Sequence, residues 1–597
     1  GAIFLTVRFV ENDNMAGAEA TAEVTITSGA SGDNSGGNPG GNGGSESGGN
    51  NSGGNNSGNN NNGNNNNGGN NSGSNNSAGQ GSSSSGGSGD SSGGTPQTLE
   101  KPEAARPEIP AVSETSPVTP DKNGNAVVSD SAVTSAVSQA KQEAKKNGNT
   151  QNSVAVIIPV TSTPEQNSFH VAVMAQTLDT LVKEDVRRFE IRIEDNVCVS
   201  MTPDTLKWLD AVTDGRDILL RAEKVPLTNL SREARTAIGA RPVYDLKLFC
   251  VSEGAEIPIT SLDGHSITVR MEYTPAQTEV TGCLYAVYVD NEGKVEWLTI
   301  SSYDPDQKAQ VFEAGHFSIY GIGYQTPVLP VAGIKDYPGA DHIHFAVSRK
   351  LLTATDSNQF LPDSPMTRGM FAAMLGRLAG IDTADYQSRA FTDAPAQSPY
   401  APYLEWAAQK GIMSGTGTGA FSPDAPITRE EMAVFFKNYA DKMGYTLPHS
   451  QEPVTFADSS QISAQAKDAV NAMQRAGILA GKDNGRLDPK GTATCAEGAA
   501  MLRRFVEITV DPQTANGWTE NDSGTRFYRR DGKPVTGWLK EEENWYWLDN
   551  GGTPFINGWK QIDSKWYYFY SDGKMAVNIV IDGYSLGPDG ARRKANA

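Results

Sequence analysis

The distribution of apolar and polar residues divides the 597-residue chain into segments with different periods. In residues 1–28, apolar and polar positions alternate over Ile3–Val10 and Ala20–Thr27, which predicts two β-strands around a polar turn. Two strands alone are marginally stable in water. We therefore expect residues 1–28 to be the C-terminal fragment of a β domain that continues ahead of residue 1. The segment has no basic region followed by a long apolar run, the pattern of a signal peptide.

The next segment, residues 29–124, is predicted to be a long disordered linker. Residues 29–94 consist almost wholly of Gly, Asn and Ser, and a Pro-containing stretch follows them. This composition offers no apolar surface to bury, so nothing offsets the entropy that folding would cost. We interpret the segment as a spacer.

Residues 125–325 return to a globular pattern. Stretches such as "VAVIIPV" and "SITVRMEY" predict strands, and "SAVTSAVSQAKQEAKKNG" predicts a helix that ends at a glycine. Because most of the predicted elements are strands, the sequence favours a β-rich module of mixed α/β type. His170, His265 and His316 lie in this segment, but none has the neighbours of a nucleophile elbow or of a metal site. We therefore predict no catalytic site here.

A threefold repeat occupies residues 333–508. The stretches "FLPDSPMTRGM", "FSPDAPITREE" and "LDPKGTATCAE" each contain a threonine that is predicted to cap a helix, namely Thr367, Thr428 and Thr494. Glutamates three positions after Thr428 and Thr494 complete the capping-box pattern. Apolar residues recur seven, eight and eleven positions after each threonine, the stripe of a core-facing helix. These are Met374, Leu375, Leu378, Phe435, Phe436, Tyr439, Met501, Leu502 and Phe505. Each repeat therefore reads as helix–loop–helix, and the Asp341–His344 stretch reads as a helix start.

The C-terminal segment, residues 512–597, carries a second repeat. Gly-Trp pairs occur at residues 517–518, 537–538 and 558–559, and between them lie the aromatic stretches "NWYWLDNGG" and "KWYYFYSDGKMA". Aromatic strands joined by Asn-Gly or Asp-Gly turns are typical of β-hairpins.

Charge and composition narrow the range of functions. The formal net charge is −20 and the sequence pI is about 4.8, which argues against nucleic acid as a general partner because phosphate binding needs clustered Lys and Arg. No apolar run is long enough to predict a membrane span. The four cysteines (Cys198, Cys250, Cys283 and Cys495) show no metal-ligand spacing, and one disulfide among the first three stays open. No cofactor and no metal are predicted.

The threefold repeat resembles the S-layer homology domain, whose hallmarks are an F-x-D opening and an I-T-R-A-E helix start. The resemblance covers units of about 333–383, 390–445 and 455–508, and it implies a pseudo-threefold α-helical bundle. It also implies binding of a pyruvylated secondary cell-wall polymer in grooves between units. The residues that match the family pattern, and are candidates for polysaccharide binding, are Arg368, Arg429, Thr428, Trp406, Gly415 and Gly481. The capping threonines also have a structural role, and Cys495 stands where the third unit would carry its arginine.

The aromatic tail resembles the choline-binding or glucan-binding cell-wall repeat, which is a β-hairpin solenoid. This resemblance implies that rings of successive hairpins bind choline or a glycan of teichoic acid through cation–π contacts or stacking. The candidate residues are Trp538, Trp545, Trp559, Trp566 and Tyr568. The same rings have a second interpretation, which is that they only pack one hairpin on the next.

Together these patterns predict a secreted bacterial surface protein that is anchored non-covalently to a Gram-positive cell wall. Residues 125–325 resemble a module of Firmicute surface proteins that has no characterised chemistry. Two alternatives stay open. One is that the chain is the C-terminal anchoring part of a glycan-degrading or peptidoglycan-remodelling enzyme whose catalytic domain lies upstream of residue 1. The other is a structural S-layer subunit.

Overall fold

The computed structural model forms two compact units, residues 1–97 and 98–597. It describes residues 3–9, 22–28, 110–146, 154–163, 165–327, 334, 337–353, 359–387, 391–395, 397–417, 419–512, 517–520, 525–530, 533–541, 544–549, 551–562 and 564–593. In the first unit, β1 (Ile3–Phe9) and β2 (Ala22–Ser28) form an antiparallel pair in which Ile3 lies opposite Ser28. This confirms the two predicted strands. The Gly/Asn/Ser-rich part of the predicted linker lies outside the described residues.

Residues 110–327 form the β-rich module, which is built on two sheets. The first sheet has the strand order β15-β16-β12-β8-β7-β5-β3. Its strands are β3 (Ala111–Glu114), β5 (Val154–Val160), β7 (Arg188–Ile193), β8 (Val197–Met201), β12 (Ile267–Glu272), β15 (Ser301–Asp304) and β16 (Ala309–Ala314).

The second sheet has the order β14-β13-β17-β10-β9-β6-β4, and β11 pairs with β10 beside this path. Its strands are β4 (Asn125–Val128), β6 (Ser168–Val173), β9 (Asp217–Lys224), β10 (Val243–Ser252), β11 (Ala255–Ile259), β13 (Leu284–Val289), β14 (Val295–Leu298) and β17 (Ile319–Tyr324). The helices of the module are α1 (Asp130–Lys146), α2 (Ala175–Lys183), α3 (Pro203–Thr213) and α4 (Arg232–Ile238).

The module begins earlier in the chain than its sequence predicts. β3 pairs in parallel with β5, with Ala111 opposite Val154, so residues 111–114 belong to the first sheet and not to the linker that was predicted to reach residue 124. The strand is only four residues long and lies in a Pro-containing stretch, so its alternation is too short to stand out. β5, in contrast, is buried at all seven positions, as its continuous apolar run predicts.

The described residues between 334 and 512 are mainly helical. The helices are α5 (Ala340–Ser348), α6 (Arg368–Leu378), α7 (Ala401–Gln409), α8 (Arg429–Met443), α9 (Lys467–Arg475) and α10 (Cys495–Val510). α5 confirms the helix start predicted at Asp341–His344. The nine apolar residues that the repeat predicted to face the core are all buried and share one hydrophobic cluster.

The tail consists of small antiparallel sheets, as the Gly-Trp repeat predicts. The first contains β18 (Gly517–Glu520), β19 (Arg526–Arg530) and β20 (Lys533–Pro534), and the next two are the hairpins β21 (Gly537–Glu541) with β22 (Asn544–Leu548) and β23 (Gly558–Ile562) with β24 (Lys565–Phe569). The last contains β25 (Val580–Ile581), β26 (Tyr584–Leu586) and β27 (Arg592–Arg593). The chain is thus multidomain and β-rich, with ten α-helices and several small sheets in its described part.

The helical region packs directly on the β-rich module. Arg349, just after α5, donates from Nη1 to the Gly282 carbonyl at 2.9 Å and from Nη2 to the carbonyls of Leu284 and Ser301 at 2.8 and 2.9 Å. At the other end of the contact, Val510 joins Ala309 and Val311 in a small hydrophobic cluster. None of the helices in the described ranges combines the length and the apolar character that crossing a membrane requires.

Candidate functional sites

The three predicted helix starts meet in a closed ring of backbone hydrogen bonds. The residue before each capping threonine donates to the same position of another repeat: Ile427 N–H to Met366 O at 2.9 Å, Ala493 N–H to Ile427 O at 3.0 Å, and Met366 N–H to Ala493 O at 2.9 Å. The ring places the N-termini of α6, α8 and α10 in equivalent positions. Side chains at the start of each helix therefore face the neighbouring repeat.

The caps of these helices match the sequence prediction. Thr428 and Thr494 each accept a hydrogen bond from the backbone N–H of the glutamate three residues on, and each glutamate side chain accepts one from the backbone N–H of its threonine. Both capping boxes are therefore confirmed. Thr367 caps α6 by accepting from Met370 N–H, without a glutamate partner.

Arg368 joins the first repeat to the second. Its Nε donates to the Phe421 carbonyl at 3.1 Å, its Nη2 donates to the Ser414 carbonyl at 2.8 Å, and its Nη1 forms an ion pair with Glu431 Oε1 at 3.0 Å. The guanidinium also lies 4.8 Å from the centre of the Phe421 ring. Burial is the largest influence on the Arg368 pKa and lowers it, and the charge of Glu431 only partly offsets this.

Arg429 makes the equivalent junction between the second and third repeats. Its Nε donates to the Leu487 carbonyl at 2.7 Å, and its Nη1 lies 3.1 Å from Glu497 Oε1. Leu487 and Glu497 hold the positions that Phe421 and Glu431 hold in the second repeat. Arg429 is fully buried, with 0% of its surface exposed. Both arginines therefore bind the capping glutamate of the following repeat.

The third junction, between the third repeat and the first, lacks both halves of this pair. Cys495 stands in the arginine position and Met370 in the glutamate position. The backbone contact persists, because Cys495 N–H donates to the Ser364 carbonyl at 3.0 Å, and the Cys495 thiol lies 3.5 Å from the Ser364 hydroxyl. In the sequence, Met370 and Cys495 lie in different repeats. In the structure, both lie at the same junction.

The other candidate residues of the helical region take part in packing. Trp406 lies in α7 with 1% of its surface exposed, and its ring packs edge-on against Tyr439. A Cβ atom at Gly415 would lie 2.9 Å from the Phe391 ring, and one at Gly481 would lie 2.7 Å from the Phe456 ring. Those two rings open the second and third repeats. Ligand contact by Thr428, Trp406, Gly415 and Gly481 stays a prediction, as does ligand contact by the two arginines.

The aspartates of the F-x-D openings have a role that the sequence analysis missed. Asp393 accepts hydrogen bonds from the backbone N–H groups of Phe421 and Ser422 at 2.8 and 2.7 Å, and Asp458 accepts from those of Leu487 and Asp488 at 2.9 and 2.8 Å. Burial is the largest single influence on the pKa of Asp393 and raises it, but these backbone donors outweigh it, so the pKa is lowered. Each aspartate thus holds the turn whose carbonyl receives the arginine.

Lys350 occupies a position at which the other two repeats have a glycine, and its substitution tests whether the lysine strains the backbone there. It follows α5 with a left-handed backbone (φ 56°), where the second and third repeats have Gly411 (φ 67°) and Gly477 (φ 85°). A residue with a Cβ is strained in this conformation and glycine is not. We expect Lys350→Gly to raise the free energy of unfolding by about 0.5–1 kcal/mol in urea denaturation. The reciprocal Gly411→Lys should lower it, and a destabilised Lys350→Gly variant would contradict the argument.

The candidate rings of the tail fall into two groups. Trp538 packs edge-on against Trp547 and Tyr567, with centroid distances of 5.3 and 4.9 Å, and Trp545 lies 6.0 Å from it and is 38% exposed. Trp559 contacts Tyr568 at 5.4 Å and Tyr584 at 5.9 Å. Trp566 shares a cation with Trp559, because Arg592 lies over both rings. Trp538 is therefore mainly a packing residue, whereas the Trp559 group also contacts a cation of the chain.

A cleft of about 830 Å³ lies where the first hairpin, the helical region and the β-rich module meet. Its lining includes Asp306, Lys482, Arg503, Trp518 and Arg526. The backbone N–H of Trp518 donates to Asp306 Oδ2 at 2.8 Å, and burial raises the pKa of Asp306 to about 6. The cleft combines an aromatic ring with charges of both signs.

Cys198, Cys250, Cys283 and Cys495 are buried free thiols. Over the described ranges, no group of three or more His, Cys, Asp or Glu side chains is placed to hold a metal ion.

Comparison with known proteins identifies two kinds of domain. The model of the S-layer homology domain matches residues 390–433 and 455–497. The model of a putative cell wall binding repeat matches residues 536–553 and 557–575. The matches cover the second and third helical repeats and the two central hairpins.

The related proteins include enzymes and S-layer proteins. An amylopullulanase of Thermoanaerobacterium thermosulfurigenes is 31% identical over 37% of this chain and 12% of its own length. The exoglucanase XynX of Acetivibrio thermocellus is 31% identical over 29% of this chain and 16% of its own length. An S-layer protein of Bacillus thuringiensis subsp. finitimus is 27% identical over 31% of this chain and 22% of its own length.

Among solved structures, the choline binding domain of a Streptococcus pneumoniae protein matches 13% of this chain and 95% of its own, with 35% identity and a TM-score of 0.13. The chain spans less than a quarter of the length of the curated relatives named above. It carries S-layer homology domains together with cell wall binding repeats, and these domains point to the cell wall or S-layer surface as its location.

Proposed function

We propose that this chain anchors a secreted bacterial surface protein to a Gram-positive cell wall through two kinds of binding domain. In this proposal, residues 333–508 act as a three-repeat S-layer homology bundle that binds a pyruvylated secondary cell-wall polymer. Residues 512–597 act as a β-hairpin solenoid that binds choline or a glycan of teichoic acid. The observation that carries the proposal is the presence of both matched domain types side by side in one chain.

The ring of helix starts supports the first half of this proposal. The first backbone N–H groups of α6 and α8 already donate to carbonyls of the following repeat, so they are not available to a ligand. The positive end of the helix dipole still favours a carboxylate near a helix N-terminus, and a guanidinium adds a second source of positive charge. Arg368 and Arg429 occupy the first position of α6 and α8. We infer that the grooves beside these two residues bind the pyruvyl carboxylate, and that the groove beside Cys495 does not.

Bulk charge does not assist this binding. The chain carries a formal net charge of −20 and the wall polymer is itself anionic, so the long-range interaction is repulsive. At physiological ionic strength this repulsion is screened within about 8 Å, and short-range contacts decide the affinity. The proposed attachment should therefore strengthen, and not weaken, as salt is raised from low to physiological concentration.

Co-sedimentation with cell-wall sacculi tests the proposal. We expect the whole chain to pellet with sacculi that retain their secondary polymers and to stay in the supernatant with sacculi stripped of them. Sacculi that retain the polymer but lack its pyruvyl group distinguish the two binding domains. The helical repeats should not bind such sacculi, whereas the tail should still bind them if the wall contains choline. Equal pelleting with complete and fully stripped sacculi would show that the chain does not recognise these polymers.

A second candidate is the anchoring part of a cell-wall-attached glycan-degrading enzyme. The matched relatives include an amylopullulanase and an exoglucanase, of which this chain covers 12% and 16%. The sequence that precedes residue 1 in the gene tests this candidate. A domain with paired carboxylates would support it, and tandem immunoglobulin-like repeats would favour an adhesin instead.

A further inference from the structure

A cation of the chain itself lies over three aromatic rings at the end of the tail. The guanidinium carbon of Arg592 is 4.1 Å from the centre of the Tyr584 ring, 5.6 Å from that of Trp566 and 5.8 Å from that of Trp559. The three rings come from β26, β24 and β23, and Arg592 comes from β27. Four different strands therefore build this contact. We call the three rings the terminal cage.

The terminal cage is held in place by contacts of its own. The Trp559 indole N–H donates to Asp582 Oδ2 at 2.9 Å, and its ring meets the Tyr584 ring edge-on at 5.9 Å. Tyr584 is 40% exposed. The cage is therefore shaped by the protein and open to solvent on one side.

Ion pairing does not explain the position of Arg592. Its neighbour Arg593 pairs with Asp589 at 3.3 Å, whereas Arg592 has no carboxylate partner among the described residues. Two adjacent arginines thus differ in what they contact, one a carboxylate and the other the faces of aromatic rings. The rings are the feature that attracts the Arg592 cation.

The chemistry of the cage defines which external cation suits it. A cation over aromatic faces is attracted by the ring quadrupoles, and quaternary ammonium groups are bound by aromatic cages of this kind. A quaternary ammonium has no N–H to donate, so it loses less than a primary ammonium does when it leaves water for such a cage. Arg592 and a quaternary ammonium ligand would occupy the same space.

We propose that Arg592 is the resident cation of the terminal cage formed by Trp559, Trp566 and Tyr584, and that it sets the affinity of this cage for quaternary ammonium ligands by competing with them. The proposal rests on the proposed binding of choline or glycan by the tail and assigns a specificity-determining residue to it. A ligand then binds only the fraction of molecules in which Arg592 has left the rings. The apparent dissociation constant is then the intrinsic constant divided by that fraction.

Calorimetric titration of the whole chain with choline chloride tests this competition. Arg592→Ala is expected to tighten choline binding by about 5- to 30-fold, the range that a cation–π contact with several rings implies. Arg593→Ala is the matched control, because it removes the same charge one residue away, and it should leave the affinity within about twofold of wild type. Ethanolamine, a primary ammonium of similar size, should show a smaller gain.

A second variant assigns the gain to this cage and not to other rings of the tail. Adding Tyr584→Ala to Arg592→Ala should abolish the gain, because Tyr584 is the ring closest to the Arg592 cation. Unchanged or weaker choline binding by a folded Arg592→Ala chain would overturn the inference, and so would the absence of any choline binding in both proteins. Neither outcome decides the wall-anchoring proposal, which the sedimentation experiment tests through the helical region as well.

Discussion

Replacement of Arg429 by methionine is expected to lower the free energy of unfolding of the helical region by about 3 kcal/mol, the lower end of the range for breaking a buried ion pair. The side chain is fully buried, and its loss leaves the Leu487 carbonyl without this donor. Glu497 keeps Lys482 at 3.1 Å, which is why the lower end of the range applies. Urea denaturation followed by the helical circular dichroism signal measures the loss.

The equivalent position of the third repeat provides the control. Cys495 is buried but its thiol carries no ion pair, so Cys495→Ala should cost about 1 kcal/mol or less. The third junction can also be rebuilt. Cys495→Arg and Met370→Glu should each destabilise the chain alone, whereas the double variant should recover part of the loss as a favourable coupling energy. Simple additivity of the two changes would show that this junction lacks the geometry of the other two.

Variants at the same junction can distinguish a structural role of Arg429 from a ligand-binding role. Arg429→Ala is expected to weaken polymer binding more than Cys495→Ala does, but a weakened junction would also loosen the groove. Glu497→Gln disturbs the same junction and leaves the cation in place. If Arg429 contacts the polymer, Arg429→Ala must weaken binding beyond what Glu497→Gln does at matched stability.

The features that could be predicted from the sequence are those that depend only on residues within one helix turn or one strand. The capping boxes of Thr428 and Thr494 depend on residues three positions apart, and the buried stripe after each threonine follows from the helical period. The hairpins of the tail follow in the same way from their turn residues. In each case the interacting residues are neighbours in the chain, so their spacing is sufficient information.

The features that could not be predicted depend on which repeat lies beside which. The pairing of Arg368 with Glu431 and of Arg429 with Glu497 joins residues 63 and 68 positions apart. Only the ring of helix starts shows that Cys495 and Met370 face the same junction. Trp406 is a candidate because it matches the family pattern, and sequence alone could not show that its side of α7 faces the core. The aspartate of the F-x-D opening was visible, but the turn that it binds lies about 30 residues further along the chain.

Removal of Arg270 is expected to have an effect of similar size, at the contact between the β-rich module and the helical region. Arg270 lies on β12 and donates from Nη2 to Asp511 Oδ2 at 2.9 Å and from Nη1 to Glu190 Oε2 at 3.0 Å. Both carboxylates are 2% exposed. Arg270→Met would leave them buried without this cation, and because Glu190 keeps Arg192 at 2.9 Å the cost should be about 3 kcal/mol, the lower end of the range for a broken buried ion pair.

The pH dependence of that loss gives an independent check. Burial is the largest influence on the Glu190 pKa and raises it, but the charges of Arg270, Arg188 and Arg192 outweigh it and lower the pKa from 4.5 to about 2. A carboxylate with a lowered pKa stabilises the folded state above its unfolded pKa and loses this contribution as the pH falls through the folded pKa. The difference in stability between wild type and Arg270→Met should therefore be largest near neutral pH and shrink between about pH 4.5 and 2.

Neutral replacements of the two carboxylates distinguish a charge effect from a packing effect. Adding Glu190→Gln and Asp511→Asn to Arg270→Met neutralises both carboxylates, of which Glu190 keeps its ion pair with Arg192 at 2.9 Å in Arg270→Met, so the triple variant should regain part of the lost stability. If the triple variant is as unstable as Arg270→Met alone, the loss comes from the packing of the Arg270 side chain against β8 and not from its charge. If Arg270→Met is as stable as wild type, the ion pairs do not hold the helical region on the module. The contacts of Arg349 with the carbonyls of Gly282, Leu284 and Ser301 would then be the ones that fix the position of the helical region.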